Sequence, residues 1–209
     1  DDQSGTADDA DATVLYTFTF SEAVTGFVTG DVTVVGGTKG DFTASSATVY
    51  TLLVTADDDS TTSMTVDVAA SVATDSNDNA NIVASTNTQL VDTTNPTVTI
   101  TDDQSGKVTD SDSTVEFTVT FSEAVTGFVV GDLVVVGGTV SNFAADSSTV
   151  YTFDVTAPDG AIADITVDIA GSAAIDANAN VSIVATQANQ QVDRTDGTLS
   201  GTAAGLISI

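Results

Sequence analysis

The chain has 209 residues, of which 30 are acidic and only three are basic, so its net charge is −27. Histidine, cysteine and tryptophan are absent, which excludes the usual zinc sites, Cys–His and Ser–His nucleophiles, and a disulfide framework. Lys39, Lys107 and Arg194 cannot neutralise a nucleic-acid backbone, whereas a hydrophobic content of 41% predicts a folded protein rather than a disordered acidic tail.

An internal repeat dominates the sequence. The run Phe-Ser-Glu-Ala-Val-Thr-Gly-Phe-Val occurs at 20–28 and again at 121–129, an offset of 101 residues. The same offset relates two further motifs, Asp-Gln-Ser-Gly at positions 2 and 103 and Val-Val-Gly-Gly-Thr at positions 34 and 135. The repeat predicts two copies of one domain, over 1–95 and 96–196, followed by a strand-like tail over 197–209.

Within each copy the apolar residues alternate with polar ones, as expected for half-buried strands. In chain order the first copy has such runs over 14–20, 31–35, 50–54, 64–68 and 82–91. Leu15 and Leu53 are replaced by Glu116 and Asp154 in the second copy, so this face of the strands is predicted to meet solvent. No helical periodicity persists beyond one turn. The pattern predicts an all-β fold, with two tandem antiparallel β-sandwiches of about seven strands each.

Several motifs follow one another along the first copy, and the second copy repeats the first three of them and the Asp-x-Asn-x-Asn part of the fourth. They are Phe-Ser-Glu-Ala-Val-Thr-Gly-Phe, Gly-Asp-(Val/Leu), Val-Tyr-Thr, Val-Ala-Thr-Asp-x-Asn-x-Asn and the closing Val-Asp-Thr-Thr-Asn-Pro-Thr-Val-Thr-Ile. This series resembles the bacterial Ig-like repeats of large surface adhesins and related exported proteins. The resemblance implies Ig-like sandwiches, an extracellular or cell-surface location and a structural role. The second copy departs from the pattern at its end, where Arg194-Thr195-Asp196-Gly197 replaces Thr93-Thr94-Asn95-Pro96.

The resemblance also implies which polar loops meet at the end of each sandwich where a preceding domain docks. There, one glutamate joins an Asp-x-Asn-x-Asn turn in each copy. The residues are Glu22, Asp75, Asn77 and Asn79 in the first copy, and Glu123, Asp176, Asn178 and Asn180 in the second. Alternate turn residues can offer three oxygens to Ca²⁺, although Ala80 and Thr86 replace the glycine and glutamate of an EF-hand.

Further acidic residues are expected at the opposite end of each sandwich. They are Asp57, Asp58, Asp59 and Asp92 in the first copy, and Asp159 and Asp193 in the second. Those of the first copy are predicted to face the Glu123 group across the linker. Each close pair of like charges costs about 1 kcal/mol even at the dielectric constant of water. We therefore expect calcium between the domains. The alternatives are that these residues cap turns without an ion, or that the acidity serves solubility in salt.

The two ends of the chain suggest self-association. The second copy begins with the strand-like run 96–100, whereas the first copy begins directly at the corresponding turn. A sandwich that lacks an edge strand exposes backbone groups and an apolar groove, which a strand from another molecule can fill. The candidate contact residues in the tail are Thr198, Leu199, Leu206, Ile207 and Ile209. The predicted partners are copies of the chain joined head to tail into a filament, or neighbouring Ig-like repeats in an adhesin stalk.

Other functions are less well supported by the sequence. The acidic residues fall on turns and outward strand faces with no pocket-forming insertion, so enzymatic activity is not expected. No apolar run reaches the roughly 18 residues of a membrane span, and Asp1-Asp2-Gln3 has neither Met nor a leader, as expected for a mature or excised segment. The alternative function is a module that binds a glycan or host protein through polar loops. Phe27 and Phe128 are the aromatic residues expected to be exposed for such binding.

Overall fold

The computed structural model describes residues 1–197, which form 13 strands and contain no α-helix. The strands of the first copy are β1 (Thr13–Thr19), β2 (Val32–Val35), β3 (Gly37–Ala44), β4 (Val49–Ala56), β5 (Met64–Val68) and β6 (Asn87–Gln89). Those of the second copy are β7 (Val98–Asp102), β8 (Thr114–Phe121), β9 (Leu133–Val136), β10 (Thr139–Ala145), β11 (Val150–Thr156), β12 (Ile165–Ile169) and β13 (Ala188–Gln190). Within the described residues no helix is long and apolar enough to cross a membrane.

By internal packing the chain divides into two units whose limits differ from those of the sequence copies. The first unit consists of Asp1–Pro96 together with Ala124–Gly127 and Ala174–Ile183 from the second copy. The second unit consists of Thr97–Glu123, Phe128–Ala173 and the described residues from Val184 onwards. The Asp-x-Asn-x-Asn turn of the second copy therefore packs as part of the first unit.

The first unit contains two antiparallel three-stranded sheets, in the orders β1-β4-β3 and β2-β5-β6. In the first sheet, Val14 pairs with Val54 and Tyr16 with Leu52, and all four side chains are buried. The strand residues between them face outward and are more exposed. The period-two alternation thus places one face of each strand in the core and the other toward solvent.

The second unit repeats this arrangement with one additional strand. Its sheets have the orders β10-β11-β8-β7 and β13-β12-β9. Phe117 on β8 pairs with Phe153 on β11, and their buried rings stack with centroids 5.5 Å apart. At the edge of the sheet β7 pairs antiparallel with β8. Among residues 1–197, no strand pairs with the corresponding edge of β1 in the first unit.

The chain crosses from one sheet to the other at the glycine pairs that the sequence repeats. Gly36 lies between β2 and β3, which begins at Gly37, and Gly137 and Gly138 separate β9 from β10. The first glycine of each pair has a positive φ, 74° at Gly36 and 86° at Gly137. The repeated Val-Val-Gly-Gly-Thr motif is therefore the sheet-switching corner of each sandwich.

The repeated Phe-Ser-Glu-Ala-Val-Thr-Gly-Phe motif ends in the core. Phe27 and Phe128 are each only 5% exposed, so the expectation that they lie at the surface is wrong. The turn at Gly26, where φ is 90°, directs Phe27 inward to make edge-to-face contacts with Tyr50 and other rings. The Tyr50 hydroxyl donates a hydrogen bond to the carbonyl oxygen of Val24, which fixes the same turn.

Candidate metal centre

The Asp-x-Asn-x-Asn turns organise themselves around the side chain of their first residue. Asp176 Oδ1 accepts hydrogen bonds from the backbone N–H groups of Asn178 at 2.7 Å and Asn180 at 2.9 Å. Asp176 Oδ2 accepts a third bond, from Asn180 Nδ2 at 2.9 Å. Asp176 is 5% exposed and Asn180 1% exposed. The carboxylate thus shapes the turn, as expected for aspartate at the start of an Asx-type turn.

The corresponding turn of the first copy has the same three hydrogen bonds. Asp75 Oδ1 accepts from the backbone N–H groups of Asn77 and Asn79, and Asp75 Oδ2 accepts from Asn79 Nδ2 at 2.8 Å. The Asn79 side chain and backbone donors hold the pKa of Asp75 below its ordinary value of 3.8, with smaller contributions from the Asn77 backbone and from Glu22. Glu22 and Asp75 line the same cavity of the first unit.

This geometry predicts how Asp75 titrates. Asn79→Ala removes the largest cause of the shift, so we expect the pKa of Asp75 to rise toward 3.8. Because the folded-state pKa is lowered, ionised Asp75 stabilises the fold above the ordinary pKa, and this contribution is lost as the pH falls through the lowered value. NMR titration of the Asp75 carboxyl carbon measures the change. Asn77→Ala is the matched control, since Asn77 donates through its backbone; an equal rise in both variants would contradict this assignment.

The turn of the second copy also binds the end of the first copy, within the first unit. Asn178 Nδ2 donates to Asp92 Oδ2 at 2.6 Å, and Asn180 Nδ2 donates to the Asp92 carbonyl oxygen at 2.8 Å. The carboxylate oxygens of Asp92 and Asp176 lie within 4.8 Å of each other. Two carboxylates at this separation repel each other unless a positive charge lies nearby.

One residue of this contact was not singled out from the sequence. The Asp9 backbone N–H donates to Asn180 Oδ1 at 3.0 Å, and Asp9 Oδ2 accepts from Asn95 Nδ2 at 2.7 Å. Asp9 belongs to an acidic run before β1, where nothing local marks it. The repeat could have pointed to Asp9, because the 101-residue offset relates it to Asp110. Asp110 accepts a hydrogen bond from Arg194 near the end of the second copy.

The remaining predicted ligands lie elsewhere or have other partners. Asp57, Asp58 and Asp59 are exposed in the turn after β4, and in the part of the chain that the structure describes none of them joins the pair of Asp92 and Asp176. Glu123 belongs to the second unit and directly precedes the segment Ala124–Gly127 of the first. Thr198 and the other predicted tail contacts lie outside the described residues.

In the second copy the corresponding acidic residues lie beside the basic residues. Arg194, whose side chain is only 13% exposed, lies 3.1 Å from Asp110 and 3.8 Å from Asp159. Lys107 Nζ lies 3.7 Å from Asp193. The Thr195 hydroxyl, and secondarily Lys107, lower the pKa of Asp193. At this end of the sandwich, basic side chains lie beside acidic residues that the sequence predicts as calcium ligands.

The chemistry of the Asp92 and Asp176 group suits a hard cation. Its donors are carboxylate and carbonyl oxygens, which Ca²⁺ prefers, and it contains none of the nitrogen or sulfur donors that zinc prefers. Asp176 Oδ2 and Asp92 Oδ2 each accept one of the hydrogen bonds described above and retain lone-pair capacity for a cation. Asp92 and Asp176 thus supply the oxygens that could hold calcium in this unit, and Asn178 and Asn180 position these oxygens through their amide N–H groups.

Comparison with known families places this geometry in context. A family model described as "Bacterial Ig-like domain" matches residues 2–91 and, separately, residues 92–193. The chain belongs to the bacterial Ig-like domain family. The expected family and the all-β fold with tandem Ig-like sandwiches are therefore confirmed. In this family description, the Asp92 contacts lie where the first Ig-like match gives way to the second.

The solved structures that resemble this Ig-like chain are distant. The Yersinia pseudotuberculosis adhesin InvE has 15% identity and a TM-score of 0.31, with coverage of 96% of this chain and 62% of InvE. InvD of the same organism has 14% identity and a TM-score of 0.31, with coverage of 95% and 57%. The Bacteroides ovatus protein SGBP-B, solved with a mixed-linkage heptasaccharide, has 18% identity and a TM-score of 0.25, with coverage of 87% and 43%. The Ig-like chain thus spans less than two thirds of each. No match was found among curated protein sequences.

Proposed function

We propose that the chain is a non-enzymatic structural module of the cell surface, in which calcium stiffens the connection between consecutive Ig-like copies. In this proposal the chain associates head to tail with further copies of itself into a filament through strand donation. Each Ig-like copy acts as a segment of fixed length, and the function lies in how the segments are joined.

The observation that carries this proposal is the set of contacts around Asp92. This residue lies near the end of the first copy, and its side chain and backbone carbonyl accept hydrogen bonds from Asn178 and Asn180. The donors come from the turn that both copies repeat as Asp-x-Asn-x-Asn. A flexible linker between independent domains has no need of such contacts, whereas a stiff connection does.

Calcium is proposed because the same contacts bring acidic side chains together. Asp92 and Asp176 approach within 4.8 Å, and the chain supplies only three basic residues in all. Lys107 and Arg194 pair with acidic residues elsewhere, in the second unit. We propose Glu123 as a further ligand because it is covalently next to a segment that packs in the same unit as Asp92. A cation bound to these carboxylates would replace their repulsion by attraction.

A section of an adhesin stalk is the second candidate, favoured by the two tandem matches to the bacterial Ig-like family. It uses the same calcium-stiffened connection but takes its neighbours from a longer chain. A glycan-binding module is less well supported, because the burial of Phe27 and Phe128 removes the aromatic surface such a site needs.

The proposal is tested by thermal unfolding with and without calcium. The melting temperature of the full chain is expected to rise in calcium relative to a chelator, since an ion that binds only the folded state stabilises it. Equal melting temperatures under both conditions would contradict the calcium connection.

A further inference from the structure

The first unit has an open groove along β1. Its volume is about 720 Å³. Its apolar lining includes Phe18, Phe20, Val24, Val66 and Val68. Ile82, also in the lining, is 86% exposed. Tyr16 and Asn87 line the groove as well, and the Tyr16 hydroxyl and the Asn87 side-chain oxygen are buried without a hydrogen-bond partner among the described residues. An apolar groove beside an unpaired strand edge, with unsatisfied polar atoms, indicates a missing partner.

The second unit shows what fills the same place in a complete sandwich. There β7 lies antiparallel to β8 along the corresponding edge. The pairs are Val98 with Phe121, Thr99 with Thr120, and Ile100 with Val119. Phe121 is 2% exposed and Val119 0%, whereas their counterparts Phe20 and Phe18 are only partly buried. The groove therefore fits an extended strand with two apolar side chains two residues apart.

The free stretch of this edge is short. Asp2 Oδ1 accepts a hydrogen bond from the Leu15 N–H at 2.8 Å, as Asp103 Oδ1 does from the Glu116 N–H at 3.0 Å. Asp1 and Asp2 thus lie at the positions that Asp102 and Asp103 have in the second unit. The unpaired stretch of β1 is therefore the stretch whose counterpart on β8 faces residues 97–101 in the second unit. An added strand can be no longer than this range.

The tail of the chain contains a segment with the required chemistry. Residues 197–209 include no charged side chain, so their side chains add no repulsion to a groove that Asp1, Glu22 and Asp75 line. Ile207-Ser208-Ile209 has the same spacing of β-branched apolar residues around a hydroxyl residue as Val98-Thr99-Ile100.

The register that the 101-residue offset suggests fits less well. It places Leu199 at the position of Val98 but Gly201 at that of Ile100. Glycine leaves the second apolar position empty and weakens a strand. In that register Ala203 and Ala204 would also have to lie where Asp1 and Asp2 of the accepting copy already lie.

We propose that residues 206–209 of one molecule bind as an added strand along β1 of a second copy of this chain. The strand runs antiparallel to β1, with Ile207 opposite Phe20 and Ile209 opposite Phe18. This inference rests on the proposed head-to-tail association and deepens it, because it names the donor segment, its direction and its register.

A disulfide-trapping experiment tests the register, because the chain has no natural cysteine. Thr19 is opposite Ser208 in the proposed register and opposite Ser200 in the offset register. A Thr19→Cys chain that carries a size tag is mixed with either Ser208→Cys or Ser200→Cys chains under mild oxidation. The control pairs Ser208→Cys with Thr43→Cys, which places an exposed thiol on β3 at the other edge of the sheet. We expect at least tenfold more mixed dimer from Thr19→Cys with Ser208→Cys than from either other pair.

Each other result would overturn a stated part of the proposal. Preferential trapping of Ser200→Cys would overturn the register, and trapping no better than the Thr43→Cys control would overturn the docking site. A further chain carries both Thr19→Cys and Ser208→Cys. If it forms an internal disulfide as a monomer, and the single variants form no mixed dimers, the strand does not come from a second copy. The calcium response of the full chain is measured separately, so trapping without any such response would contradict the calcium connection alone.

Discussion

The double variant Asp92→Asn/Glu123→Gln is expected to lose the rise in melting temperature that calcium gives the unaltered chain. At a free calcium concentration about 100 times the dissociation constant, binding to the folded state alone contributes about 2.7 kcal/mol. For a chain of this length that corresponds to a rise of roughly 5–10 °C. Both substitutions keep an oxygen acceptor but remove the charge that attracts the ion.

The expected behaviour without calcium is different. The side-chain oxygen that Asp92→Asn leaves in place can still accept the hydrogen bond that Asn178 donates to Asp92 Oδ2. Removing the charge of Asp92 relieves its repulsion with Asp176, about 1 kcal/mol or less in water-like surroundings. In a chelator the double variant should therefore melt at or slightly above the temperature of the unaltered chain.

The matched control is Asp58→Asn/Glu116→Gln, which makes the same change of charge at exposed positions. Calorimetry of the three proteins with calcium and with chelator separates a specific site from general screening of the net charge of −27. If the control loses its calcium response as fully as Asp92→Asn/Glu123→Gln, the ion acts through overall charge and the site assignment is wrong.

Gly137→Ala is expected to lower the free energy of unfolding by about 4 kcal/mol. A Cβ atom at this position meets the Asp164 carbonyl oxygen at 2.5 Å and the Ile165 Cα at 3.1 Å, and φ is 86°. The unfavourable φ costs about 1–3 kcal/mol and the overpacking a similar amount. Both atoms belong to backbone that enters β12, so neither can move aside without disturbing the sheet.

Urea unfolding measures this loss, with Gly106→Ala as the control. No heavy atom lies within 4 Å of a Cβ at Gly106, so that variant should stay within about 0.5 kcal/mol of the unaltered chain. A comparably small effect at Gly137 would contradict the close approach of the two sheets at this corner.

The sequence was sufficient to predict most strands, because burial alternates with their period of two. No run was predicted for β3, and of the run predicted over 82–91 only β6 is a strand. Leu15 and Leu53 were predicted to face outward from their replacement by Glu116 and Asp154, and both are more exposed than Val14 or Leu52. The alternation of buried and exposed residues stops where a strand ends, so it does not predict burial in turns. The burial of Phe27 depends on the positive φ of Gly26, which alternation cannot reveal.

The candidate site was less predictable, because its contacts join residues far apart in the chain. Asp92 and Asn178 are separated by 86 residues, and Arg194 and Asp110 by 84. The repeated Asp-x-Asn-x-Asn pattern indicated the turn, but it did not indicate that Lys107 and Arg194 lie beside the acidic residues of the second copy. Exposed Asp57, Asp58 and Asp59 have the same residue type as Asp92, so composition alone does not distinguish them.

Head-to-tail association is tested most directly by static light scattering from the full chain during a calcium titration, beside a chain that lacks 197–209. We predict growth to particles many times the 21.0 kDa mass of the chain, and no growth after deletion of the tail. A molecular mass that stays at 21.0 kDa throughout the titration would contradict filament formation and favour a spacer within a longer adhesin.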